Sequence, residues 1–380
     1  MLSIADVVCL SHLRWGFVYQ RPNHLMARWA RHARVFFVEE PVFDEQHPRA
    51  SIEDVAPNLW RVVPYLTAAS RSAPTAQIDT DLRRLLDGVL SSSRVRSPLL
   101  WFYTPMALAF AGHIDAAVTV YDCMDELSAF QDAPPQLAER ERQLFARADV
   151  VFTGGHSLYE AKRHAHPFVH AFPSSVDAEH FASARLCRTS GEPSAQRDVP
   201  RPRLGFFGVV DERLDRDLLA RIADTRPDWH VVVVGPVVKI DAATLPRRPN
   251  LHYLGPSSYA DLPAYIAGWD VAIMPFAQNG ATRFISPTKT LEYLAAGKPV
   301  VSTPVRDVVR PYGELGVVRI AAGDAFVSAI EGVLRERGTA KEAARLAAAD
   351  KVVAATCWDS TWSAMRRLVH DAAERRRRIA

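Results

Sequence analysis

The chain has 380 residues, 48% of them hydrophobic and 23% charged, with 46 basic side chains against 43 acidic ones. That is an ordinary globular composition with length for two or three domains, and a net charge of +3 is too small to argue for a nucleic-acid partner. No apolar run approaches the roughly 18 residues that cross a bilayer. The opening Met1 to Asp6 lacks the basic stretch of a signal peptide, so none is expected. Cys9, Cys123, Cys187 and Cys357 lie far apart without metal or redox spacing, which predicts reduced thiols and a cytoplasmic protein.

Val7-Val8-Cys9-Leu10 is a continuous apolar run, the pattern of a buried parallel strand. A loop rich in Arg, Trp and Gln follows. Arg21-Pro22-Asn23-His24 then opens a helix whose Leu25, Met26 and Trp29 recur at helical spacing. Val35-Phe36-Phe37-Val38 is the next strand, completing a βαβ unit. Further strands are predicted at 99–103, 118–122 and 150–153, with a charged, surface-exposed helix over 135–148. Between 183 and 203, Ser, Gly and Pro sit among charges without periodicity, which reads as a linker.

A second α/β series begins at 203–208. It continues with a helix over 214–223, strands at 231–235 and 251–254, a helix over 262–267, and a strand at 271–274. Two such series around a linker predict two Rossmann-like halves facing across a cleft, with ligands at the carboxyl ends of the strands. The expected domains are 1–185, a linker 186–202, 203–355, and a C-terminal helix 356–380. Helical propensity runs from 340 to 378, ending in the basic tail Arg375-Arg376-Arg377-Arg378. That tail reads either as a solvated end or as a contact to an anionic membrane, to which Arg28, Arg31 and Arg34 would add.

The most informative stretch is Ser286 to Pro304. Ser286 suits an N-cap, Pro287 the first helical position and Gly297 the C-terminal stop, and Val300-Val301 starts a strand. Lys289 is out of place in a first turn, where the helix dipole favours Asp or Glu. A cation beside free N–H groups fits a bound anion, phosphate above all. Glu292, one turn on, suits the hydroxyls of an attached ribose rather than the phosphate. The turn Phe207-Gly208 to Asp215 adds a glycine that admits a diphosphate and Arg213 to pair with it. The absence of GxGxxG argues against a nicotinamide or flavin enzyme.

This stretch resembles the donor-site helix of retaining GT-B glycosyltransferases of the glycosyl transferases group 1 type, with their E-x7-E signature. Glu292 matches the second Glu, while the first falls on Phe284. A surface-polysaccharide subgroup carries Ser-Pro-x-Lys-x-x-Glu-Tyr instead, and this chain is similar to it, as is the run from Trp15 to Gln20-Arg21-Pro22. The resemblance implies the GT-B fold and a nucleotide-sugar donor of UDP, GDP or dTDP type. It implies a glycan or lipid-linked acceptor, no cofactor and no metal; the basic tail adds the alternative of peripheral contact at the inner membrane face. It assigns Lys289 and Arg213 to the leaving diphosphate. Donor contacts would come from Gly16, Gly208, Tyr253, Leu254, Ser286, Pro287, Thr288 and Glu292, with Asn279 and Thr282 replacing the missing Glu. Arg14, Trp15 and Gln20 suit sugar recognition, with Trp15 as core and Arg21 as surface the alternative. Asp122 and Asp125 follow a strand end, placed for sugar hydroxyls or, for Asp125, a helix cap. A sugar-nucleotide epimerase and a non-catalytic nucleotide-sugar binder remain as alternatives on the same frame.

Overall fold

The computed structural model describes residues 4–186 and 191–379; Cys187 and Ser190 lie outside them. The first half contains β1 (Asp6–Leu10), β2 (Arg34–Val38), β3 (Val42–Glu45), β4 (Arg49–Ala56), β5 (Leu59–Thr67), β6 (Leu99–Phe102), β7 (Val118–Cys123), β8 (Val150–Thr153) and β9 (Val169–Ala171). They are ordered β3-β5-β2-β1-β6-β7-β8-β9, parallel except for β4, which runs antiparallel along β5. The second half holds β10 (Arg203–Phe207), β11 (His230–Val234), β12 (Leu251–Tyr253), β13 (Val271–Met274), β14 (Val300–Ser302) and β15 (Val318–Ile320). Its parallel order is β12-β11-β10-β13-β14-β15.

In each sheet the connection reverses direction around its first strand. β1 lies between β2 and β6, and β10 between β11 and β13. These are the switch points at which an open α/β sheet leaves a crevice beyond its strand ends. The loops that follow, 11–20 and 208–215, therefore border the cleft. Alternate residues of β1 feed opposite faces, Val7 and Cys9 into one apolar layer and Val8 and Leu10 into the other.

The apolar runs read as strands are strands. The additions include β3, β4, β5, β9, β15 and the helices Thr75–Ser92, His156–Lys162 and Asp324–Arg335. β4 is an edge strand with Glu53, Asp54 and Val55 exposed, so no apolar run marks it. The helix Leu137–Arg147 is charged but not wholly exposed, for Leu137, Glu141, Leu144 and Phe145 are buried.

The described part of the segment expected to be a linker, from 191 on, is packed on the second half. Glu192 and Arg203 form a buried ion pair. The amide of Gln196, itself buried, donates to Tyr265 O at 2.8 Å and accepts from Trp269 Nε1 at 3.1 Å. Buried polar groups with partners look in sequence like solvated ones. The boundary expected at 185 also falls earlier in packing, since Val176, Phe181 and Ala184 belong to the core of the second half.

The C-terminal stretch is two helices, Ala340–Ala354 and Trp358–Ile379. The second buries Trp358, Trp362, Met365 and Val369 in the core of the first half. Trp362 meets Trp29 edge-on at 5.6 Å and Trp358 stacks on His24 at 4.5 Å. The arginines read as a basic face are largely engaged. Arg28 and Arg31 pair with Asp359, Arg34 with Asp6 and Arg376 with Asp149, and Arg375 lies 3.9 Å from the Phe168 ring centroid. The tail is thus not simply a solvated end. Among the described residues no helix is long and apolar enough to cross a membrane.

Trp358→Ala removes a fully buried ring from the first half and should destabilise it by about 3–5 kcal/mol. Denaturant unfolding followed by tryptophan fluorescence checks this, and a loss below about 1 kcal/mol would mean the helix does not share that core.

Candidate active site in the cleft

The helix of the Ser286–Pro304 stretch runs Lys289–Ala295, two residues later than an N-cap at Ser286 would place it. Thr288 precedes it without a side-chain cap, so the prediction that Ser286 caps this helix fails. The other end matches its signal. Gly297 has φ +71°, and Lys298 N donates to Tyr293 O at 2.9 Å. Arg185 Nε donates to Ala295 O at 2.8 Å and closes the same terminus. Phe207 N donates to the Tyr293 hydroxyl at 3.0 Å, which ties the helix to the end of β10.

That tie brings Lys289 onto Gly208. Gly208 has φ +133°, and a Cβ there would lie 2.2 Å from Lys289 Cε and 2.6 Å from Nζ. The ammonium lies 5.7 and 6.0 Å from the ring centroids of Phe206 and Phe207. Among the described residues no carboxylate reaches within 4 Å of it. Burial lowers its pKa, and Glu292 pulls it back up. Glu292 is buried in turn. Desolvation raises its pKa and Lys289 lowers it, and Thr288 Oγ1 lies 3.4 Å from Oε2.

Across the cleft these residues face the first half. One cavity, about 710 Å³ with its open mouth, is lined by Ser286, Pro287, Thr288, Lys289 and Arg213 on one side. Gln20, Arg21, Met124, Asp125 and Ser174 line the other. Arg213 arrives with a counter-charge, its Nη2 lying 2.6 Å from Asp211 Oδ2. Asp125 has its pKa raised to about 6 by burial, against the pull of Arg213 and Arg21. The geometry is an uncompensated ammonium and a row of loop hydroxyls opposite an amide and a poised carboxyl. It can take an anion carrying a hydroxylated group.

Residues 201–336 match the family described as Glycosyl transferases group 1. This stretch is a group 1 glycosyl transferase domain. Over 261 residues the chain is 28% identical to the putative teichuronic acid biosynthesis glycosyltransferase TuaH of Bacillus subtilis (strain 168), a match covering 63% of this chain and 64% of that protein's length. Its fold is shared with sucrose-phosphate synthase of Thermosynechococcus elongatus, with TM-score 0.71, 13% identity and 97% and 98% of the two chains covered. Anabaena HepE, solved in complex with UDP, superposes with TM-score 0.64 at 13% identity over 97% and 100% of the chains. The two sheets and their cleft are the GT-B fold.

Several residues singled out in the sequence are used by the GT-B frame itself. Asp122 is buried and holds Arg21, with Oδ1 2.8 Å from Nη2, so it is not turned to the cavity. Arg14 donates to Glu39 Oε2 at 3.0 Å and to Glu40 O at 2.6 Å, and Trp15 meets Phe37 edge-on at 5.1 Å. Gly16 is exposed and a Cβ there would meet nothing within 4 Å, so no close approach requires glycine. Asn279 and Thr282 cap each other, and Asn279 Nδ2 donates to Glu212 O at 2.8 Å. Tyr253 and Leu254 close β12, two strands from β10, with the Tyr253 hydroxyl donating to Pro246 O at 3.2 Å.

Three neighbours of the site were not read from the sequence. Arg21, taken as a surface alternative, is buried at 1% exposure and also donates to Phe172 O at 2.6 Å. Its partner Asp122 is 101 residues away, a pairing no local pattern reveals. Ser174 carries no signal beyond its position after β9. Tyr259 lies 4.6 Å from Tyr19 across the cleft, and its buried hydroxyl has no partner among the described residues.

Asp122→Ala would leave Arg21 buried and unpaired. We expect a loss of about 3–5 kcal/mol in unfolding free energy, and a loss under about 1 kcal/mol would mean water reaches the pair. Asp125 tests the electrostatics of the cleft. Its folded pKa of about 6 lies above the reference 3.8, so its contribution is full below about pH 4 and is lost as pH rises through 6. Asp125→Asn should gain on the wild type by up to about 3 kcal/mol between pH 4 and 7 in urea unfolding. A pH-independent difference would show the carboxyl hydrated.

Proposed function

We propose that the protein is a glycosyltransferase that moves a sugar from a nucleoside-diphosphate donor to a glycan or lipid-linked acceptor during cell-surface polysaccharide assembly. The observation that carries this is the Lys289 ammonium, held against Gly208 in the cleft of a GT-B fold with no carboxylate of the described residues within 4 Å. A departing diphosphate gains negative charge in the transition state, and a fixed cation out of bulk water is worth most there. Because Asp211 already offsets Arg213, Lys289 carries most of that demand in place of a metal ion. Glu292, next to it on the helix, takes the ribose hydroxyls, and the end of β12 at Tyr253 and Leu254 takes the base.

The HepE complex with UDP makes a uracil nucleotide the first candidate, and the teichuronic acid relative supports a surface polymer as the product. On this reading the anomeric configuration is retained, by attack from the face the diphosphate leaves. The enzyme works on the cytoplasmic side of the membrane, with the exposed Arg377 and Arg378 toward anionic lipid.

A thermal-shift series with UDP, GDP, ADP, dTDP and their sugar conjugates tests the reading. A nucleotide at 100 times its Kd stabilises by about 2.7 kcal/mol. We expect one nucleotide to shift the wild type and neither Lys289→Ala nor Glu292→Ala. No shift with any nucleotide sinks the proposal. An isomerised nucleotide sugar in the reaction mixture would make the protein an epimerase, and binding without donor turnover would make it a binder.

A further inference from the structure

The helix His156–Lys162 of the first half begins without a side-chain cap of its own, because Gly155 stands at its N-cap position. Its cap comes from the other half. Asp307, just past β14, accepts the Ser157 N–H on Oδ1 at 2.9 Å, from 150 residues away in sequence. Both partners are buried, Asp307 at 5% exposure and Ser157 at 1%. A Cβ on Gly155 would lie 2.1 Å from Asp307 Oδ2 and 2.8 Å from Ser286 Cβ. A Cβ on Gly154 would lie 2.4 Å from Met124 O. The Gly154-Gly155 turn is therefore wedged between Met124 and Ser286, which stand on opposite walls of the cavity.

We infer that Asp307 is a positioning residue. From the second half it caps a helix of the first, and so holds the cleft at the width at which Gln20 and Asp125 face Lys289. Side-chain oxygens at helix starts are ordinary local devices, but a local cap joins residues two or three apart. This one crosses the cleft, so opening the cleft breaks it and returns the carboxylate and the N–H to water. The cap thus favours the closed arrangement, which completes a site built from both halves. The consequence for catalysis rests on the proposed transferase reading; the latch itself does not.

Asp307→Ala removes the acceptor, whereas Asp307→Asn keeps an oxygen that can take the Ser157 N–H. In hydrogen–deuterium exchange, peptides spanning 154–162 should exchange at least tenfold faster in Asp307→Ala, and X-ray scattering should show a larger radius of gyration. Both readings should stay near wild type in Asp307→Asn. The thermal shift with the nucleoside diphosphate should persist in Asp307→Ala, because Lys289 and Glu292 belong to the second half. Turnover of the nucleotide sugar should fall at least tenfold in kcat with donor KM within threefold, and Asp307→Asn should recover most of it. Wild-type exchange, scattering and kcat in Asp307→Ala would overturn the inference. If Asp307→Ala fails to fold, Gly155→Ala decides, since it pushes on the same contact from the first half, and wild-type exchange and scattering there overturn it equally. Exchange and scattering need no donor. A wild type that binds no nucleotide therefore removes the transferase reading while leaving the latch visible or absent on its own evidence.

Discussion

A lysine ammonium pressed against a glycine is the contact on which the cleft depends. Lys289 gives up water without gaining a carboxylate of the described residues within 4 Å, an expensive arrangement offset in part by the faces of Phe206 and Phe207 and by Glu292 at longer range. It is held there because Tyr293, one turn along the same helix, is bonded to Phe207 N at the end of β10. Only glycine tolerates both φ +133° at position 208 and a side chain within 2.2 Å of its missing Cβ. Sheet, turn and helix are therefore fixed to one another at the switch point. The charge left over faces the crevice and not the core.

The two halves are joined by different kinds of contact at different depths. Behind the site the joint is apolar, Trp358 and Trp362 being buried in the core of the first half while Val353, five residues earlier, belongs to the other. At the cleft the joint is made of isolated contacts: the hydrogen bond of Asp307 with Ser157, and the ring of Tyr259 against Tyr19. Apolar burial scales with area and loosens gradually. A single hydrogen bond to a buried carboxylate is made or broken. The stable joint therefore lies where no motion is needed, and the breakable one beside Ser286.

What could be read from the sequence follows from how far each signal reaches. Val231 to Val234 and Val271 to Met274 declare buried strands by themselves, because both faces of a parallel sheet are covered. Lys289 stands out because its sign is wrong for a helix start, a conflict contained within one turn, and the fold places it at the cleft. Arg21 and Asp122 declared nothing. Each is a common polar residue until the fold brings it to the other, and the same holds for Glu192 with Arg203, which made a packed segment look like a linker. Ser286 misled in the opposite direction, since its local pattern was that of an N-cap but the turn at Pro287 and Thr288 starts the helix later.

Phe284 shows what that limit means for chemistry. Under the proposed reading a sugar must be held where the family pattern has a carboxylate. Phe284 instead packs against the apolar layer of the first half, with Arg283 5.1 Å from its ring centroid. Asn279 and Thr282, the nearby polar side chains, are consumed in holding their own loop. On the second half, the charged groups that line the cavity, Lys289 and Arg213, are those already assigned to the diphosphate, beside the hydroxyls of Ser286 and Thr288. The first half adds Gln20, Asp125 and Ser174 as hydroxyl partners. Sugar recognition then shifts across the cleft, and its strength depends on how closely the halves approach. A chain that keeps the phosphate site on one half and the sugar contacts on the other has reason to fix their separation, and the Asp307 cap lies at the point where that separation is set.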